Sequence, residues 1–411
     1  MYRPQEIAHR HFALKNETVA GLSTLERDVI RLDERIKHSL SSSPIRTTLL
    51  RADALSALNI DKVYPDIYTV MRLEAAGYLL NKAEDTDAML KEVLAEENHP
   101  TMDLSLLVYR TMQAIQWITK SGNEAKITSP NDMLALYGRS LEGPHYSEIK
   151  PAFRSEPFVV DARNQTQIAY EPPDPDELIS LLDDFCDFLN QDTLSPLAQA
   201  SIVQFQFEAL RPFDENSDRT ERLRMHYVLH RRGFLENIIL PINLFSAHFK
   251  NRFYDLLKPH YEKTDEEQKN TILYAEDLIL STTQVTHELL KFTLTLHKTI
   301  VSLVESWKRR IGRVQRGSTI ELLLYELVGT PIMTITQGSD LAQRSFSATS
   351  DAFARLEHAG IVRAGNPIRR NMTFEAPDAM MLHDVMYKKR AVTFNEFVEE
   401  KGNTKNIIKA V

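Results

Sequence analysis

The chain has 411 residues, a net charge of −8 and only 13 glycines, about 3% against a usual value of about 7%. So few glycines, with no G-x-G-x-x-G or G-x-x-x-x-G-K-[ST] motif, exclude Rossmann dinucleotide sites and P-loops. The acidic balance excludes a protein that binds nucleic acid through bulk charge. One cysteine, Cys186, leaves no intrachain disulfide and fits a reducing compartment. No apolar run reaches the ~20 residues that span a bilayer. The N-terminus MYRPQEIAHRHF lacks a signal peptide's apolar stretch. A cytoplasmic location with no membrane partner is expected.

Length predicts two or three domains. Leu25, Val29, Ile30, Leu32, Ile36 and Leu40 recur near a 3.6-residue period and predict a helix over 22–40. Ser41-Ser42-Ser43-Pro44 breaks it. Further helices are predicted near 66–82, 86–96, 104–120 and 131–141, so 1–125 reads as an N-terminal helical region. Residues 145–173 differ. Their prolines and the β-favouring pieces PFVVD and TQIAY predict a hairpin, with Asp161-Ala162-Arg163-Asn164 as its turn. PDELISLLDDFCDFLN resumes helix, with Asp174 and Glu177 loading the first turn, as the helix dipole favours. Helices near 195–209 and 219–232 flank the loop ALRPFDENSD. Helices near 246–258, 265–292 and 294–310 follow.

Beyond Arg316-Gly317 the pattern changes. Residues 306–376 hold ten Lys/Arg against six Asp/Glu, a local excess of +4 in a chain of −8, which points to an acidic body carrying a basic module. After a linker at 301–317, residues 318–376 follow the order of a winged helix-turn-helix, and 377–411 form a tail. The candidate recognition helix, SFSATSDAFARLEHAG, ends at Gly360 as a C-terminal cap. Duplex DNA is one partner this module would take, through Ser347, Thr349, Arg355 and the wing arginines Arg363, Arg369 and Arg370. Modules of this kind also serve protein interaction or dimerisation. Asp351 and Glu357 on the candidate helix favour that role, and a homodimer is one form of it.

The segment 211–222 reads RPFDENSDRTER and resembles the signature H-P-F-x-[DE]-G-N-G-R-x-x-R of the Fic family. Pro212, Phe213, Glu215, Arg219 and Arg222 match. Arg211, Asn216, Ser217 and Asp218 do not. FQFEAL before the motif, LFSAHFKNRFYDLL after it, and the hairpin with YEPPDPDEL extend the likeness over roughly 130–295. The resemblance implies a mainly α Fic-type domain, 126–300, with a β-hairpin flap, plus the small C-terminal winged-helix domain. It also implies AMP transfer from ATP, with Mg²⁺, to a Ser, Thr or Tyr hydroxyl of a protein target docked at the flap, 145–173.

In that family the motif histidine is the base, the acidic residue holds the metal and the G-N-G turn cradles phosphate. Glu215 then stands at the metal position, and Asn216, Ser217, Asp218, Arg219 and Arg222 at the nucleotide. Arg211 occupies the base position but stays protonated and cannot accept a proton. Asp218 sets a carboxylate where phosphate should lie, and a phosphate cradle requires open amides with no negative side chain. These departures imply a non-catalytic regulatory or interaction protein. The alternative is a transferase using an atypical base, His226 or His230. Asp218 with Glu221 also reads as an ordinary helix-capping pair.

A second stretch, Ser42-Ser43-Pro44-Ile45-Arg46-Thr47, resembles the family's inhibitory helix [ST]-x-x-x-E-[GN], with Arg46 replacing the glutamate. This implies an Arg46 ion pair with Asp218 or Glu221 in place of the usual inhibitory contact. A surface arginine near a helix break is the simpler alternative.

Overall fold

The computed structural model describes residues 4, 6–59, 65–80, 102–120, 126–141, 151–157, 160–161, 168–170, 172–213, 223–244, 272–368 and 371–389. In chain order these residues form α1 (Asn16–Lys37), α2 (Ser42–Asn59), α3 (Ile67–Leu80), α4 (Met102–Lys120) and α5 (Pro130–Leu141). Strands β1 (Val160–Asp161) and β2 (Ile168–Tyr170) follow, then α6 (Pro175–Leu189), α7 (Pro196–Leu210), α8 (Leu223–Arg231) and α9 (Ile272–Ile311). The last elements are α10 (Thr319–Gly329), β3 (Ile332–Thr334), α11 (Ile335–Ala342), α12 (Phe346–His358), β4 (Arg363–Ala364), β5 (Thr373–Glu375) and α13 (Pro377–Lys389). The protein is mainly α-helical. None of the described helices is long and apolar enough to cross a membrane.

The chain gathers into two compact units. Met1–Asp33, Arg110–Glu236 and Ile242–Leu289 form the first; Glu34–Tyr109, Asn237–Pro241 and Leu290–Val411 form the second. In the first unit α7 packs between α6 and α8. Proline in the first turn and the acids Asp176 and Glu177 start α6, because proline loses no helical hydrogen bond there and the acids face the positive helix end. Its buried stripe is Leu178, Leu182, Phe185, Cys186 and Leu189. α7 is buried nearly all round. The first-turn amide of Leu197 is satisfied by the Glu26 carboxylate at 3.0 Å, and burial raises the pKa of that carboxylate. β1 and β2 pair antiparallel with a bulge between Val160 and Asp161. This is the expected hairpin, although its turn residues 162–164 lie outside the described residues.

In the second unit the C-terminal module has the sheet order β3-β5-β4, all antiparallel. Its helices are capped by Ser318, Thr334 and Ser345, each accepting a backbone N–H three residues on. The order helix, strand, two helices and two strands is consistent with the winged helix expected at 318–376. Gly360 takes φ +63 just past α12, and Gly360 and Ile361 donate to Glu357 O and Leu356 O at 2.8 and 2.9 Å, closing the helix as read from the sequence.

The module does not stand by itself. α2 packs on α10 and α13, and α3 on β3, α11 and α13. Their joint is Arg51, 1% exposed, which donates to both oxygens of Glu74 at 2.6 and 2.8 Å and to Gly329 O at 2.8 Å. Its Nη1 lies 3.1 Å from His383 Nδ1, and His383 Nε2 lies 2.7 Å from Val328 O.

Three sequence expectations change here. Ser42 to Pro44 open α2 rather than merely ending α1, since proline is tolerated in a helix's first turn. Residues 272–311 are one continuous helix; no proline or glycine lies between 292 and 294 to divide it. Residues 377–389, expected as tail, form α13. The helices expected near 86–96 and 246–258 lie outside the described residues.

Candidate functional site

α7 ends where the motif begins. Arg211 caps it in the left-handed conformation, φ 40 and ψ 63, with its N–H donating to Phe207 O at 3.1 Å. The chain then runs into Pro212 and Phe213, both buried. Phe213 is held by a stack of rings, with Tyr137 of α5 at 4.0 Å and 10° and Phe153 at 5.6 Å and 9°. Phe207 of α7 lies tilted at 6.1 Å. Burying such a ring contributes about 1.5–3 kcal/mol, and each good ring pair about 0.5–1.5 kcal/mol more. Phe213 therefore pins the start of the loop to the core.

Arg154 does the same for the backbone. Its N–H donates to Pro212 O at 2.9 Å and its Nε to Arg211 O at 2.8 Å. Nη1 reaches Glu156 O at 3.2 Å, and Nη2 reaches Pro173 O. One buried guanidinium thus binds the carbonyls entering the motif to the segment that follows β2. On the far side of the loop, α8 carries Arg224, fully buried, with its guanidinium 3.2 Å from the Phe207 ring centroid and 5.9 Å from that of Phe213. A desolvated cation over an aromatic face contributes about 2 kcal/mol.

Of the motif, Arg211, Pro212 and Phe213 are described. Glu215, Asn216, Ser217, Asp218, Arg219, Glu221 and Arg222 lie outside the described residues. His226, a candidate substitute base, is fully buried in α8, while His230 near its end is half-buried. Arg46 is half-buried in the first turns of α2, and its expected partners Asp218 and Glu221 are again outside the described residues. Among the described residues no group of three His, Cys, Asp or Glu is placed to hold a metal ion.

In the C-terminal module Ser347 and Arg355 are exposed on α12. Thr349 is fully buried; it faces the module's core and has no surface to offer a ligand. Arg363 is exposed but bound to Glu375, with Nη2–Oε2 at 2.9 Å. Arg369 and Arg370 lie outside the described residues. Sequence reasoning missed Arg154, Tyr137, Phe153 and Arg224. Tyr137 and Phe153 stand far from Pro212-Phe213 in the sequence and meet it only in the fold, and Arg154 binds carbonyls that have no side-chain signature.

A model of the Fic/DOC family matches residues 127–229. Protein adenylyltransferase fic-1 of Caenorhabditis elegans is 28% identical over 83 residues, 20% of this chain and 16% of that protein. Protein adenylyltransferase Fic of Drosophila yakuba is 31% identical over 100 residues, 23% of this chain and 19% of that protein. The match thus spans less than a fifth of the length of these curated relatives. A crystal structure of a Fic family protein from Desulfovibrio desulfuricans G20 aligns over 90% of this chain and 98% of its own, at 13% identity and a TM-score of 0.45. The matched stretch runs from the start of α5 to α8 and encloses the flap, the pinned Phe213 and the capped end of α7: the chain carries a Fic/DOC-family domain at residues 127–229.

Proposed function

We propose that this Fic domain has lost AMP transfer and acts as a binding and regulatory element, its flap, 145–173, taking a protein target. The observation that carries the reading is Arg211 at the family's base position. A guanidinium does not accept a proton at any working pH, and here its backbone serves as the helix cap and as a hydrogen-bond acceptor for Arg154. The buried His226 offers no replacement, since a general base must come within about 3 Å of the proton it takes.

The donor set does not fit ATP with Mg²⁺. At the motif positions where the family has the two glycines of its phosphate turn this sequence has Asn216 and Asp218, the second a carboxylate that repels phosphate. No catalytic step is therefore assigned to this nucleotide. The test is incubation of the full chain with Mg²⁺ and ATP labelled at the α-phosphate, followed by electrophoresis. No label on the chain is expected. Covalent label that survives denaturation would overturn the reading.

A further inference from the structure

A cluster of exposed positive charge in the second unit lies beside α12, on the side of the α9–α10 connection. Residues 308–316, KRRIGRVQR, contain five cations and no acid. Lys308 is spent on Glu305 and Glu321, at 2.9 and 2.7 Å. Arg310 is fixed by Asp378 at 3.1 Å and by Gly360 O. Arg309, Arg313 and Arg316 are exposed, and Arg355 faces solvent from the last turn of α12. Among the described residues no carboxylate forms an ion pair with Arg313 or Arg355.

Two cavities of about 620 and 560 Å³ adjoin along this face, and Arg355 lines both. The first also takes Arg310 and His358 into its wall; the second takes Arg313, Gln315 and Ser318. Neither is lined by a carboxylate. The apolar part of the lining is aliphatic, Ile311, Val314, Ile320, Ala354 and Ala359, with no Trp, Tyr or Phe of the kind that anchors a protein partner. Arginine forks with neighbouring amide and hydroxyl donors suit phosphate oxygens, which they can bind in pairs. Duplex DNA presents one such charge per about 1.7 Å of its axis.

We propose that the groove between residues 310–318 and α12 is a phosphodiester-binding face for duplex DNA, with Arg313 and Arg355 as its principal contacts. These contacts lie beside α12, whereas Arg363 of the wing is already neutralised by Glu375. It rests on the second unit alone and is independent of the loss of AMP transfer. The test is fluorescence anisotropy of a labelled DNA duplex titrated with the full chain at salt from about 50 to 200 mM. Wild type should bind with an affinity that falls linearly in log salt. Arg313→Gln and Arg355→Gln should each flatten that slope by about 0.9, one phosphate contact apiece. Arg363→Gln should leave it unchanged. Circular dichroism would confirm that these surface variants are folded. Absence of binding at the lowest salt, equal slopes in all variants, or preferential capture of a polyglutamate peptide would overturn the proposal.

Discussion

Arg211 has two descriptions, and the sequence contains one of them. That an arginine stands where a base is needed is readable from the motif, because it depends on side-chain chemistry alone. That its backbone turns left-handed depends on where α7 must end, and a residue other than glycine pays roughly 1–2 kcal/mol for that conformation. The Arg154 fork holds the turn in place by donating to the carbonyls of Arg211 and Pro173. Arg154→Leu removes three charged hydrogen bonds and is expected to destabilise the first unit by at least about 4 kcal/mol, at roughly 1.5–3 kcal/mol for each. Arg154→Lys should recover little, because an ammonium cannot span the fork. Thermal or urea unfolding measures both.

The second unit adds a pH dependence at two residues. Burial raises the pKa of Glu326 to about 7, against the hydroxyl of Ser43 donating to it at 2.9 Å. A carboxyl raised in the fold favours folding at low pH, and that contribution disappears as the pH climbs through 7. Burial, with Arg51 beside it, holds His383 well below the usual histidine value, so what it contributes is present above about pH 6.5 and lost below. Glu326→Gln is therefore expected to raise the melting temperature near pH 8 by about 2–4 °C, the size of an effect of about 1 kcal/mol. Near pH 3 it should change little, because glutamate in both folded and unfolded chains is then largely protonated.

At the scale of elements, helices with an apolar stripe were legible from spacing: α4, α5 and α6 fall within two residues of their expected bounds. Packing decided what spacing could not. The Ser-Ser-Ser-Pro stretch reads as a break, yet α2 begins there because its first turn lies against α10. At Gly329, which closes α10, an added Cβ would fall 2.5 Å from Pro44 Cα. That contact is backbone and cannot swing aside, so Gly329→Ala is expected to cost about 1–3 kcal/mol by overpacking, measured as a lower denaturation midpoint. The same contact explains why residues 42–46, which resemble an inhibitory helix, are also part of the packing of the second unit. Thr349 shows the limit of reading a helix as a list. It shares α12 with Ser347 and Arg355, but the helical turn directs it into the core with Ala352, Phe353 and Leu356.

At the scale of the whole molecule, linear order misleads. The sequence divides naturally into an N-terminal region, a Fic-like centre and a C-terminal module, but residues 34–109 compact with 290–411. The joint is the Arg51 cluster, five residues drawn from distant parts of the chain. No local pattern marks such a joint, whereas the basic character of residues 306–376 was visible in composition alone. The glycine shortage belongs to this scale as well. Two of the missing glycines fall at Asn216 and Asp218, where the resembling motif has its phosphate turn, and the proposed reading is that the family's scaffold is kept without its cradle. The most direct measurement of that claim compares wild type with Arg211→His/Asn216→Gly/Asp218→Gly, each incubated with Mg²⁺ and ATP and weighed intact by mass spectrometry. Wild type should gain no AMP, and any gain should be confined to the restored variant. A wild-type chain carrying covalent AMP would contradict the account.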